Sequence, residues 1–373
     1  MDFAFTEEHE ELRQTVRRFL EGKSDEAAVR ALMTTERGYS EEVWTQMAEQ
    51  MALQGMMVPE QYGGNGFGPV EMSVVMEEMG RSLLCAPYLS TAVFAVNALM
   101  EVGAEEAKAE ILPNVSAGQC IATVALTEAG RGWDVEAIET RAERDGDAWR
   151  LTGSKAYVLD GHIADVLLVT ARADDGVGLF RVEGAADNFV RTLTPTLDLT
   201  RKMATLDMTG THATRVDGGG DRAESLRKVV ASTIVALAAE QVGGAQKCLE
   251  LSTEFAKTRL QFGRPIGSFQ AIKHRCADML VEVEFARSAA YNAAFRAAEN
   301  GDQAEILASS SIAKSYCSEA YFGIAADTIQ VHGGMGFTWE HPAHLYFKRA
   351  KSSSALFGEP VEHREKIAAH LGL

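Results

Sequence analysis

"RLQFGRPIGSFQAIKH", residues 259–274, is the stretch on which the reading of this chain turns. Long apolar runs with helical spacing lie on both sides of it, so it is the corner between two helices. Gly263, Pro265 and Gly267 shape a tight turn there. Arg259 stands at the end of the first helix, where a guanidinium can make a forked contact to a pyrophosphate. Phe262 can lie against a planar ring, and Gln270 can bond to a nucleotide edge or a phosphate. A plain helix corner with a capping arginine accounts for the same residues equally well.

A second stretch, "QVHGGMGF" at residues 330–337, stands at the end of another long helical run. Gly333 and Gly334 would let backbone approach a ligand with no Cβ in the way. A simple helix C-cap is the alternative. The stretch follows a helix and lacks GxGxxG spacing, so it is not the phosphate turn of a doubly wound dinucleotide fold.

The rest of the chain bounds the class. Its 373 residues suit two or three domains. Hydrophobic residues at 46% and charged residues at 24% are those of an ordinary globular protein. A net charge of −17 argues against a nucleic-acid partner, which wants a basic face. An anionic thioester is not excluded, because local basic residues matter more than the total. The five cysteines are scattered and form no CxxC, and the nine histidines show no metal spacing. With the acidic start "MDFAFTEEHEEL", which has no apolar signal core, and no membrane-spanning run, this points to a cytoplasmic location.

Three segments follow from the patterning. Residues 1–119 read as helices, with Thr6 and Ser40 as N-caps and "PEQYGGNGFGP" as a turn-rich break. Residues 120–222 hold short β-branched runs, "CIATVAL", "WRLTGSKAYVLD", "ADVLLVTAR", "VGLFRVE" and "ATLDMTG", which read as an antiparallel sandwich or small barrel. This segment closes on "DGGGDR", read as a flexible joint. Residues 223–373 return to three long helices in a bundle, each ending near Gly or Asn, the middle one at Asn300. Gly243 and Gly244 on the first of them could widen a pocket or allow close helix packing.

Taken together, "PEQYGG", "LTEAGRGWD", "GSKAYVLDG", "TRLQFGRPIGSFQ" and "QVHGGMGFTWEHP", in this order, resemble the acyl-CoA dehydrogenase family over essentially the whole chain. The resemblance implies an α+β fold: an N-terminal helical domain, a middle antiparallel β domain and a C-terminal helical bundle. It implies FAD at a subunit interface in a tetramer, an acyl-CoA substrate, and an electron-transferring flavoprotein as acceptor. Residues matching Arg259, Phe262, Gln270, Gln330, Gly333 and Gly334 hold the nucleotide half of a neighbouring subunit's FAD in that family. The flavin half is less complete. Thr127 and Glu128 remain, but Trp133 stands where a small hydroxyl is usual. Tyr157 can stack on the flavin ring, whereas Leu159 replaces a hydrogen-bonding threonine.

The family reaction is α,β-dehydrogenation. A carboxylate takes the α-proton, hydride passes from Cβ to the flavin, and hydrogen-bond donors polarise the carbonyl. The two usual positions for that carboxylate fall here on Phe357 and Thr233. Three readings of the base therefore compete. Glu359, two residues beyond Phe357, acts as a displaced base. Or the chain belongs to a heteromer, as in steroid-degrading actinobacteria, whose partner carries the base. Or Glu240, about 10 Å along the helix from Thr233, reaches the site; its plainer role is an ion pair within the bundle. A flavin-dependent monooxygenase of the same fold and a purely structural subunit are further alternatives.

Overall fold

The computed structural model describes residues 5–299 and 303–373. Helix α1 (Glu7–Lys23) starts at Thr6, whose hydroxyl accepts from the His9 amide at 3.3 Å while His9 Nδ1 accepts from the Thr6 amide at 3.1 Å. This reciprocal box satisfies two donors at the helix start. Helices α2 (Glu26–Met33), α3 (Glu41–Glu49, capped by Ser40) and α4 (Pro69–Arg81) follow. A π-helical segment, Leu89–Ala95, runs into α5 (Val96–Val102), and α6 (Glu105–Ser116) ends the first helical region.

Seven strands come next: β1 (Ala122–Ala125), β2 (Arg141–Asp145), β3 (Ala148–Leu159), β4 (Val166–Ala173), β5 (Gly176–Glu183), β6 (Phe189–Thr194) and β7 (Met203–Arg215). Neighbours run β4-β2-β3-β7-β5, and β5 pairs back onto β4, so the sheet closes as a small barrel. Pairing is antiparallel except where β4 lies parallel to β1 and, through one residue pair, to β2. The sequence patterning finds five of the seven strands. It misses β2, with one buried residue in "RAERD", and β6, with none, because neither carries the alternation of a half-buried strand.

The "DGGGDR" segment is not a flexible joint. Arg215 donates to both oxygens of Asp175 at 2.7 and 2.9 Å, to Asp217 at 2.7 Å and to the Gly220 carbonyl at 2.8 Å. Its guanidinium also lies 5.5 Å from the Trp149 and Phe180 ring centres. Gly218, Gly219 and Gly220 all adopt positive φ, and this lets the backbone wrap around the cation.

Helices α7 (Ala223–Thr258), α8 (Gln270–Ala298), α9 (Gln303–His332), α10 (Ala343–Ala355) and α11 (Pro360–His370) complete the chain, with a two-strand hairpin, β8 (Leu260–Gln261) and β9 (Arg264–Pro265), between α7 and α8. The expected helix stop at Asn300 lies outside the described residues. None of the described helices is long and apolar enough to cross a membrane.

The chain divides into two compact units. One gathers residues up to Ala31, Pro69–Leu84 and Ile234–Leu373; the other gathers Leu32–Gly68 and Cys85–Thr233, including the barrel. Within the first unit, α4 and α7 pack backbone to backbone. A Cβ on Gly243 would lie 1.7 Å from the Glu77 carbonyl, and one on Gly80 would lie 1.9 Å from that of Glu240. Gly244 accommodates the Tyr321 ring, which a Cβ would approach to 2.4 Å. These glycines serve close packing, not a widened pocket. Gly243→Ala should destabilise the protein by about 3 kcal/mol or more, since backbone must move to admit the methyl. Urea denaturation measures this, and a loss under about 1 kcal/mol would show that the crossing yields.

Candidate active site

The nucleotide residues expected from the sequence come together at one end of the first unit. The α7–α8 corner is a hairpin whose two turn residues, Phe262 and Gly263, have φ of 53° and 76°. Positive φ at both central positions matches the type I′ turn, which follows the natural twist of paired strands. The corner is held to α7 by the Ile266 amide donating to the Arg259 carbonyl at 2.9 Å and by Gly267 fitting beside Ala256. Phe262 is thereby left 91% exposed. Arg259 is also exposed, and its guanidinium forms no ion pair among the described residues. Gln270 opens α8, where free amides and the helix dipole favour an anion.

The second stretch arrives beside the first because Phe255 of α7 stacks on His332 at the end of α9, with ring centres 4.3 Å apart. Gly333 and Gly334 follow immediately. A Cβ on either would meet nothing within 4 Å, and Gly333 has φ +62°. Gln330 is exposed on the last turn of α9. An unpaired cation, an outward aromatic, two exposed amides and open glycine backbone fit the phosphates and base of an adenine nucleotide. The residues present therefore suit the nucleotide half of FAD.

The residues that the resemblance expects on the flavin side lie in the barrel unit. Thr127, just after β1, is buried, and its hydroxyl donates to the Gly132 carbonyl within its own loop. Tyr157 stands on a β-bulge where two β3 residues, Ala156 and Tyr157, oppose one residue of β7. It has φ +55° and is half exposed, so its ring is turned outward and available to a planar ligand. Leu159 is buried. Sequence reasoning passed over the internal ion pair here. Lys155 Nζ, fully buried, lies 2.8 Å from Glu128. The visible signal was a lysine inside a strand motif otherwise suited to burial.

The structure gives each candidate base position a definite occupant. Phe357 is fully buried with φ +60°, and its carbonyl lies 3.0 Å from His363 Nε2. Burial pushes the His363 imidazole down to about 4, so it is neutral at physiological pH. Glu359 is the N-cap of α11 in a capping box with Glu362. Its oxygens accept from Lys351 and Ser354, each at 3.3 Å. Thr233 is buried; its hydroxyl donates to the Val229 carbonyl at 2.8 Å and accepts from Asn97 at 3.3 Å. Glu240 is buried and paired with Arg349 at 3.1 Å, the bundle ion pair expected as its plainer role.

Known proteins resemble this chain along its length. Residues 6–119, 123–216 and 228–372 match the N-terminal, middle and C-terminal domains of acyl-CoA dehydrogenase. The acyl-CoA dehydrogenase IpdE2 of Mycolicibacterium smegmatis is 33% identical over 98% of this chain and 99% of its own length. Among solved structures, a variant of the Tcur3481-Tcur3483 steroid ACAD superposes with a TM-score of 0.89 at 33% identity, covering 98% of both chains. The ChsE4-ChsE5 complex from Mycobacterium tuberculosis superposes with a TM-score of 0.90 at 31% identity, covering 100% of this chain and 99% of that one. The chain belongs to the acyl-CoA dehydrogenase family, FAD-dependent oxidoreductases that act on the CH–CH bond of acyl-CoA thioesters.

Proposed function

We propose that this chain is the base-lacking subunit of a heteromeric acyl-CoA dehydrogenase that acts on a steroid-derived acyl-CoA. One observation carries the proposal: at the family's carboxylate position stands the fully buried Phe357, and the nearest carboxylate, Glu359, is engaged as a helix cap. The names of the Tcur3481-Tcur3483 and ChsE4-ChsE5 relatives each join two chains, and the first is called a steroid ACAD, which supports both the pairing and the substrate class.

In this reading Arg259 and Gln270 bind the pyrophosphate, while Gly333 and Gly334 let it approach the backbone. Phe262 and Gln330 hold the adenosine end. Tyr157 covers a flavin ring, and Thr127 shapes the loop beside it. Bound FAD supplies the hydride acceptor for the β-carbon. The partner chain supplies the carboxylate that takes the α-proton, and an electron-transferring flavoprotein reoxidises the complex. The assembly is a heterotetramer.

The test compares this chain alone with the chain co-purified with a base-bearing acyl-CoA dehydrogenase subunit. FAD content and anaerobic bleaching by acyl-CoA are read for each. Alone, the chain should hold little FAD and should not bleach; the pair should do both. Glu359→Gln in the pair should leave bleaching within about twofold of the unmodified complex, since it removes only a helix-capping charge. Stoichiometric FAD in the isolated chain, with bleaching abolished by Glu359→Gln, would instead make Glu359 the base of a homotetramer. Bound FMN with no anaerobic bleaching would favour an oxygenase.

A further inference from the structure

The barrel unit spends a buried charge pair where apolar packing would suffice. Lys155 is fully buried, and its ammonium donates to Glu128 at 2.8 Å, to the Leu126 carbonyl at 3.0 Å and to Thr170 Oγ1 at 3.3 Å. Glu128 also accepts from the amides of Glu139 and Thr140, both at 2.9 Å, and from the Thr140 hydroxyl at 2.6 Å. The pair thus ties together the end of β1, the far end of the 127–140 loop and strand β3. Replacing such a pair with apolar residues is often neutral or stabilising, so stability alone does not account for it.

Its position on β3 gives it a use. Up to Lys155 the strand alternates: Leu151 and Lys155 point inward, Thr152 and Ser154 outward. Continued alternation would turn Tyr157 inward as well. Instead the ladder slips between Lys155 and Val158, Ala156 is buried, and Tyr157 emerges half exposed at φ +55°. Positive φ is strained for a bulky side chain and persists only where its surroundings over-determine it. The ties that do so are the Lys155 ammonium on one side of the bulge and, within it, the Ala156 amide donating to the Thr127 carbonyl at 2.9 Å.

We propose that the Lys155–Glu128 pair is a positioning device: it fixes the β3 bulge and thereby aims the Tyr157 ring outward toward the flavin. Lys155 and Glu128 are positioning residues that act through Tyr157 and the 127–140 loop. The inference rests on the proposed ring-facing role of Tyr157, and its test separates the two.

The test uses the full chain carrying Lys155→Met with Glu128→Leu, which removes both charges and leaves neither orphaned. In the flavin-free chain, nitration of Tyr157 should fall severalfold and amide exchange across residues 154–160 should quicken. In the flavin-bound complex, the FAD dissociation constant should rise about tenfold. That rise should vanish in a Tyr157→Ala background, which a general loss of stability would not produce. If the double variant does not fold, Glu128→Gln, which keeps the shape and removes the negative charge, is read in the same way. A folded variant with unchanged Tyr157 nitration and unchanged exchange overturns the positioning role. An altered bulge with unchanged FAD affinity upholds the tie between pair and bulge and overturns the ring-facing role of Tyr157.

Discussion

Arg259→Ala is expected to weaken FAD binding by roughly 10- to 150-fold in the flavin-bearing assembly, corresponding to about 1.5–3 kcal/mol for hydrogen bonds to a charged group. The expectation rests on what Arg259 lacks. Its exposed guanidinium has no carboxylate partner among the described residues, and a paired hairpin follows it directly. A guanidinium so placed gives up no competing ion pair when it meets a pyrophosphate, and its planar fork matches two phosphate oxygens. Arg264, five residues on, is the natural control. Its guanidinium lies 4.1 Å from the Phe269 ring centre and is already engaged, so Arg264→Ala should retain FAD far better. Equilibrium dialysis of FAD against the two variants decides the matter. Equal, near-normal FAD affinity in both would remove the pyrophosphate role from Arg259.

The contrast between these two arginines shows what a sequence can and cannot convey. The tight turn around Gly263, Pro265 and Gly267 was legible because Gly admits positive φ and Pro fixes φ. So were the long helices, whose apolar spacing repeats many times. That Phe357 and Thr233 stand at the two positions where the resemblance expects a carboxylate was legible too. Other features depend on partners far away in the chain. Nothing near Gly243 tells that it fits against the Glu77 carbonyl, because that contact spans more than a hundred residues. Arg215 draws its anions from Asp175 and Asp217, so three glycines that look flexible in isolation are in fact tied down. Glu359 reads as a free carboxylate until the Pro360 start of α11 makes it a cap. Local chemistry is written locally; which charge meets which is settled by the fold.

The charge cluster beneath α1 is the clearest case of such non-local design, and Arg13→Met should destabilise the protein by about 3–5 kcal/mol. Glu77 and Glu78 are adjacent on α4 and both buried. Arg13 donates to Glu77 at 2.8 Å and to the Tyr291 hydroxyl at 2.9 Å, and it approaches Glu78 at 3.4 Å. Arg17 grips Glu78 with two bonds of 2.7 and 2.8 Å, while Arg287 and Tyr291 donate to Glu77. Removing Arg13 leaves two buried carboxylates short of positive charge, which costs more than the lost bonds alone. The pH dependence follows from the same geometry. Burial by itself would raise the Glu77 carboxyl, but Arg287 and Arg13 outweigh it and hold the group below its ordinary 4.5. A depressed folded pKa contributes stability that is present above the unfolded value and is lost as pH falls through the folded one. The unmodified protein should therefore lose stability as pH drops below about 4.5, and a Glu77→Gln variant should lose less over the same interval. Urea denaturation at neutral pH and in that acid range measures both slopes. Parallel slopes would mean that the ionisation of Glu77 contributes nothing to holding α1 and α8 against α4.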